Sequence, residues 1–365
     1  MKDYIHHGLM FSYYSAKTRA YLSYKRLPFV EQYVAADLSG RIRQTTNKVM
    51  IPVLETPDGE ILQDTTVIID ALEARHPERP VFPADPVLML VTRLVEFTID
   101  ELWVSTAMNT RWNDPVSREF ASAEFSRGIG GSMGLTGDRM MAIGQRVAGQ
   151  MQSYLPQLGI DNSAGRAAAD HFFRVATEAL NPLVGRGRFA LGNRPSLIDF
   201  CLFTAYYAHQ YRDLGAAQTY LKSETPDLCY YLDELHASCC TPATGELSIS
   251  AGLVEYLKII GPASAGFARG VMAGTTELAA STAPGSVLEQ RIAPFDFELA
   301  GQPFRRGAGT FGAWKLQRVF DVYDALDTAD SQRARDLLGE FGWADLIVTP
   351  PAYRLERRQH MTHLA

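Results

Sequence analysis

Residues 51–69, IPVLETPDGEILQDTTVII, constrain the fold more than any other stretch of the chain. IPVLE (51–55) has the composition of a strand, and Pro52 stands at its start. A proline cannot donate a ladder hydrogen bond, so such a strand begins at an edge or a corner. A cis Ile51–Pro52 bond makes a tight corner and leaves the N–H and C=O of Ile51 facing outward. An extended peptide can then pair with Ile51 as an added strand. TPDGE (56–60) has the residues of a hairpin turn, and ILQ (61–63) is its return strand. Asp64, Thr65 and Thr66 then open a helix, DTTVIIDALEARHP (64–77), with Val67, Ile68, Ala71 and Leu72 on one face and Pro77 and Pro80 beyond its end. Asp or Thr at a helix start caps free N–H groups. The same groups, aided by the helix dipole, accept a ligand carboxylate. Taken alone, the stretch admits both readings.

The rest of the chain divides around this unit. YIHHGLMF (4–11) predicts a first strand, SAKTRAYLSYKRL (15–27) an amphipathic helix and PFVEQYVA (28–35) a second strand, so residues 1–80 form a small α/β unit. The segment 76–86 carries four prolines in eleven residues and reads as a linker. Residues 87–240 are helical in pattern: one long helix over 87–112, a glycine-broken stretch over 113–134, and helices near 137–155 and 164–184. Residues 241–365 make a third, mainly helical region. Within it 262–312 is rich in Gly, Ala and Pro and weakly periodic, and 311–327 and 331–342 are amphipathic helices.

Composition excludes several classes of function. At 365 residues, two or three domains are expected. A formal charge of −6 argues against a nucleic-acid partner. The most apolar run, LIDFCLFTAYYA (197–208), is too short to span a membrane, and the N-terminal residues lack a secretory pattern. The cysteines, Cys201, Cys229, Cys239 and Cys240, come late and include no CxxC pair. Neither a zinc site nor a dithiol motif is expected, no other spacing suggests a metal, and a reducing cytoplasm fits.

Strand, helix, strand, helix, IPVLE, a hairpin and an acid–hydroxyl pair opening a helix together resemble the thioredoxin-like domain of glutathione transferases. LGNRPSLIDF (191–200) resembles the capping-box motif of that family's helical domain, with Ser196 as cap and Asp199 reaching back to its N–H. The resemblance covers roughly residues 1–240 and implies a thioredoxin-like domain at 1–80, an all-α domain at 87–240 and an extension at 241–365 of unassigned role. That extension either caps the pocket or enlarges a dimer contact. The resemblance also implies glutathione as co-substrate, an apolar electrophile as second substrate, a homodimer built partly on TVIIDALEARH, and a detoxifying role.

Site residues follow by position. SYYSAKTR (12–19) resembles the S-x-x-S-x-x-x-R of zeta-like members, which places Ser12 at the thiol, with Tyr13 and Tyr14 as rivals, Tyr4 as a weaker one and Ser15 as the helix cap. Ile51 and Pro52 map to the cysteinyl backbone, Asp64 and Thr65 to the γ-glutamyl group, and Lys48 to the glycyl carboxylate. Arg19 is expected on the helix surface. A thiol of pKa about 8.5 is only ~3% thiolate at pH 7, so a hydroxyl that donates to sulfur raises its reactivity. The expected activity is thiol transfer to an electrophile. The alternatives are a non-catalytic binder with the same fold, or glutathione-dependent isomerisation or dehalogenation.

Overall fold

The computed structural model describes residues 3–33, 39–43, 50–237, 241–358 and 360–365. The first part contains β1 (Tyr4–His7), α1 (Tyr13–Tyr24), β2 (Phe29–Gln32), β3 (Val53–Glu55), β4 (Ile61–Gln63) and α2 (Thr65–Arg75). The sheet order is β2-β1-β3-β4; β1 and β2 are parallel, and the other two pairings are antiparallel. A parallel pair needs a crossover, and α1 supplies it. This is a thioredoxin-like sheet whose β3–β4 hairpin delivers the chain to the start of α2.

The second part comprises α3 (Pro86–Phe97), α4 (Val104–Trp112), α5 (Pro115–Phe125), α6 (Gly137–Gln152), α7 (Ser163–Leu180), α8 (Leu197–Tyr206), α9 (Ala216–Glu224) and α10 (Pro226–His236). The single helix expected over 87–112 is interrupted by a π-helical turn, Thr98–Leu102, where the N–H of Trp103 bonds to Thr98 O at 3.0 Å. The break expected over 113–134 is largely helical instead. Asp114 caps α5 by accepting from Ser117 N at 2.8 Å, Pro115 occupies its first position, and a second π-helical turn runs over Ser126–Gly130. The capping box is formed: Asp199 Oδ2 accepts from Ser196 N at 2.7 Å, while its other oxygen accepts from Ala190 N and the Tyr231 hydroxyl. This fixes α8 as a buried strut, against which the Tyr21 and Tyr24 rings of α1 pack through Phe200.

Residues 241–365 contain α11 (Ala251–Ala280), the hairpin β5 (Arg291–Leu299) and β6 (Gln302–Gly309), α12 (Thr310–Asp324), α13 (Thr328–Gly339), α14 (Ala344–Ile347) and the hairpin β7 (Leu355–Arg358) and β8 (Met361–Leu364). The weakly periodic segment 262–312 is thus a long helix followed by two strands. Its glycines explain the missing pattern. Gly266, Gly270 and Gly274 repeat every four residues and form a groove on α11 into which β5 settles. A Cβ at Gly270 would lie 2.0 Å from a ring carbon of Phe295, and one at Gly274 would lie 2.2 Å from Ile292.

The extension shares the core of the helical part. Phe97 of α3 packs on Phe267 and Trp343, and Thr98 Oγ1 lies 2.6 Å from Ser264 Oγ. Asp70 of α2, on the helix expected to face a second subunit, is held by Arg93 of α3 and Arg318 of α12 in the same chain. Among the described residues, no helix is long and apolar enough to cross a membrane.

Candidate functional site

The β3–β4 hairpin and the start of α2 face the extension across a cavity of about 340 Å³. Ile51 and Pro52 line it, and the bond between them is cis. Gln63, the last residue of β4, holds this corner by donating from Nε2 to Met50 O at 2.8 Å.

Asp64 and Thr65 lie on the same wall. Asp64 is the N-cap of α2 and accepts from Thr66 N at 3.0 Å. Its φ of +83° is a conformation that side chains other than glycine rarely adopt, at a cost on the order of 1–3 kcal/mol. Such cost persists where the surroundings hold a residue in place, and here the hairpin and the helix do so from either side. Thr65 is 1% exposed, and its hydroxyl has no hydrogen-bond partner among the described residues. The first N–H groups of a helix are likewise free of intrahelical partners. A helix start capped at the Thr66 N–H, an unpartnered hydroxyl and a cavity coincide at this point.

The hydroxyls at the start of α1 separate clearly. Tyr14 lines the cavity and donates to Asp100 O at 2.7 Å. Tyr13, one residue away, points into the core and donates to Ile99 O at 2.9 Å. Ser12 does not line the cavity; it is the N-cap of α1, and its Oγ accepts from Ser15 N at 3.4 Å. Capping therefore falls to Ser12 rather than Ser15, because the helix begins at Tyr13. Tyr4 is engaged with His76 Nε2 at 2.8 Å. Arg19 is not a surface cation: it holds Glu31 through two nitrogens, at 2.6 and 2.7 Å, and reaches Leu9 O at 2.9 Å. Lys48 lies outside the described residues.

The π-helical turn contributes Glu101, and α12 contributes Lys315. Lys315 Nζ sits 2.7 Å from Asp100 Oδ2 and 3.5 Å from Glu101 Oε1. Burial pushes the Glu101 carboxyl up to about 7; the Lys315 ammonium opposes that rise, and the charges of Asp100 and Asp64 add to it. Burial also raises Asp64, again against Lys315. Burial disfavours the Lys315 ammonium itself, yet Asp100, Asp64 and Glu101 hold it well above the usual lysine range. Burial raises the Tyr14 phenol, which stays protonated at any physiological pH.

Phe311 and Lys315 of α12, Arg357 of β7 and Met361 of β8 complete the wall. No local signal in the sequence marks these residues. Phe311 and Lys315 follow helical spacing, as core and surface residues do. They reach Tyr14 only through the return of a segment some 300 residues downstream.

Residues 7–80 match the family model described as "Glutathione S-transferase, N-terminal domain". No curated protein matches the chain in sequence. Among solved structures, the chain is similar to a glutathione transferase from Phanerochaete chrysosporium at 14% identity, covering 65% of this chain and 98% of that one, with a TM-score of 0.45. It is similar to the beta-etherase LigF from Sphingobium sp. strain SYK-6 at 21% identity, covering 66% and 97%, with a TM-score of 0.43. It is also similar to a glutathione S-transferase of Ceriporiopsis subvermispora in complex with glutathione, at 14% identity, covering 67% and 100%, with a TM-score of 0.44. Residues 7–80 thus carry a glutathione S-transferase N-terminal domain, and the chain continues beyond it into a mostly helical part.

Proposed function

We propose that the cavity binds glutathione and that the chain directs its thiol at a small electrophile, acting as a glutathione transferase-like enzyme. One observation carries this reading: the Ile51–Pro52 corner and the start of α2, with its unpartnered Thr65 hydroxyl, face the same cavity. The cysteinyl backbone pairs with Ile51 beside Pro52. The γ-glutamyl carboxylate takes the Thr65 N–H and hydroxyl, and the ammonium beside it meets the Asp64 carboxylate. The sulfur then points to the front of α1. Tyr14 is the tyrosine of the Tyr13–Tyr14 pair on the cavity wall, so its phenol takes the role that position in the sequence had given to Ser12 or Tyr13. Lowering the thiol pKa by ~2 units takes roughly 2.7 kcal/mol of preferential interaction with the thiolate. A phenol hydrogen bond and the nearby Lys315 ammonium are interactions of that kind.

A second reading, binding without turnover, is favoured by one specific contact. The Tyr14 proton already goes to Asp100 O, at 2.7 Å, and must leave it to serve a sulfur. Calorimetry with glutathione, followed by conjugation of a chlorodinitrobenzene, separates the two. The enzyme reading expects saturable heat, turnover that drops roughly tenfold or more in Tyr14→Phe, and turnover retained in Ser12→Ala. Heat without turnover on a broad set of electrophiles supports the binder. No heat at millimolar glutathione sinks both.

A further inference from the structure

We propose that the extension's side of the cavity is a seat for an anion, and that the molecule the thiol meets there is a small apolar compound bearing a carboxylate. The proposal rests on the reading that the same cavity holds glutathione, and it narrows the second substrate from any apolar electrophile to an acidic one.

Arg357 motivates it. This residue of β7 lines the cavity and is half-buried. Among the described residues its side chain makes one hydrogen bond, a long one from Nη1 to Thr362 Oγ1 at 3.4 Å, and no carboxylate of theirs lies within ion-pair distance. Its neighbours differ: Arg354 pairs with Asp321 and Arg358 with Glu356, both at the exposed surface. Arginine is thus paired on the outside of this hairpin and unpaired on the inside. A guanidinium presents a planar fork of donors that matches a carboxylate, and burying one without a partner is costly. Burial pushes the Arg357 pKa below the usual arginine range, while Asp64 and Glu101 pull the other way. A ligand anion would relieve that penalty.

The surroundings favour an acid with an apolar body. The guanidinium lies 4.3 Å from the centroid of the Phe311 ring, which stacks on Trp314 at 5.5 Å, and Met361 lines the same cavity. Arg291 adds a second cation to the wall with no carboxylate partner among the described residues. Lys315 is already committed to Asp100 and Glu101. His360 is neutral near pH 7, because burial and the charge of Arg357 bring it down to about 4. The unneutralised charge on this side is therefore positive. A cavity of about 340 Å³ lies at the small end of ligand pockets, which suits a single ring.

Glutathione has a glycyl carboxylate of its own, so the test must separate the two sources. Calorimetry would compare S-(4-carboxybenzyl)glutathione with its methyl ester and with S-benzylglutathione on the whole chain. The acid is expected to bind roughly tenfold tighter than either neutral conjugate, and Arg357→Leu should make the three equal. Arg357→Lys, which keeps the charge but not the fork, should retain part of the preference. The ligand-side comparison needs no variant and stands even where Arg357→Leu fails to fold. Equal binding of acid and ester by the wild-type chain overturns the proposal. So does a loss of affinity in Arg357→Leu that is as large for glutathione as for the acid, since Arg357 would then serve the glycyl carboxylate. If glutathione and all three conjugates fail to bind, 4-methylbenzoate decides. Heat that disappears in Arg357→Leu keeps the anion seat while the glutathione reading falls; no heat removes both.

Discussion

Lys315 Nζ lies 2.7 Å from Asp100 Oδ2, and this buried ion pair ties the extension to the π-helical turn behind the cavity. Lys17 of α1 reaches the same oxygen at 2.9 Å and Glu96 at 3.2 Å. One carboxylate therefore joins the first domain, the helical part and the extension.

The arrangement predicts unequal costs for removing its members. Asp100→Asn leaves the buried Lys315 with only the more distant Glu101, and Lys17 with Glu96 alone. Breaking a buried pair in this way costs about 3–5 kcal/mol. Lys315→Met removes a charge whose partner still has Lys17, and the apolar replacement fills the space, so the loss is expected to stay below about 2 kcal/mol. Urea unfolding of both variants checks the order. Lys315→Met as the more damaging change would refute it.

The glycines of α11 give a prediction with an internal control. Gly270→Ala places a methyl 2.0 Å from the Phe295 ring, so β5 or the helix has to move. Overpacking of this kind costs about 1–3 kcal/mol, beyond any gain in helix propensity. Gly149, within α6, has nothing within 4 Å of the position its Cβ would take. Gly149→Ala should raise stability by about 0.5–1 kcal/mol. Thermal melts of the two variants moving in the same direction would mean that the groove is not what holds β5.

The same glycines show why part of this fold was legible in the sequence and part was not. The Ile51–Pro52 corner, the turn at 56–60, the opening of α2 by Asp64 and Thr65, and the Ser196–Asp199 box are each written in a few adjacent residues whose chemistry allows few conformations. The extension is specified differently. Along α11 the face that receives β5 is built from glycines, and the exposed positions include Pro262 and Ala273 beside Glu255, Lys258, Arg269 and Glu277, so apolar and polar residues do not separate cleanly by period. Pro262 lies inside the helix, against the usual reading of proline as a stop. The count back from Arg19 points to Ser12. Which of three adjacent hydroxyl residues meets the cavity depends on where the helix starts, and a shift of one residue turns a side chain by about 100°. The side of the cavity formed by Phe311, Lys315 and Arg357 exists only after long-range packing, and no local pattern records it.

Thr65 yields a prediction of opposite signs in the free and bound protein. Its buried hydroxyl has no partner among the described residues, and an unmet polar group of this kind costs about 1–3 kcal/mol. Thr65→Val keeps the shape and removes that cost, so the free protein should be unchanged or more stable in a melt. If the hydroxyl bonds a glutathione carboxylate, the same variant should bind glutathione roughly tenfold more weakly. A variant that loses stability and keeps full affinity would assign the hydroxyl to the fold instead of the ligand.

Glu101 makes stability depend on pH in a window set by its environment. Its carboxyl stands at about 7 in the folded chain against an ordinary value of 4.5, chiefly because it is buried. Between those values the folded chain keeps a proton that the unfolded chain has released. The folded state then binds more protons, and stability falls as pH rises through the window. Above about 7 both states are ionised and the penalty is constant. Glu101→Gln cannot ionise and should lose this contribution, so its advantage over the wild type should grow from pH 5 to 7 and level off near pH 8, at about 3 kcal/mol. The groups facing Glu101 sharpen the test: Asp64 and Asp100 oppose its charge, whereas Lys315 and Arg306 favour it. Lys315→Met should therefore steepen the fall with pH that Glu101→Gln abolishes. Parallel pH profiles for wild type and Glu101→Gln, measured by urea unfolding from pH 5 to 8, would show that Glu101 ionises as an ordinary exposed glutamate does.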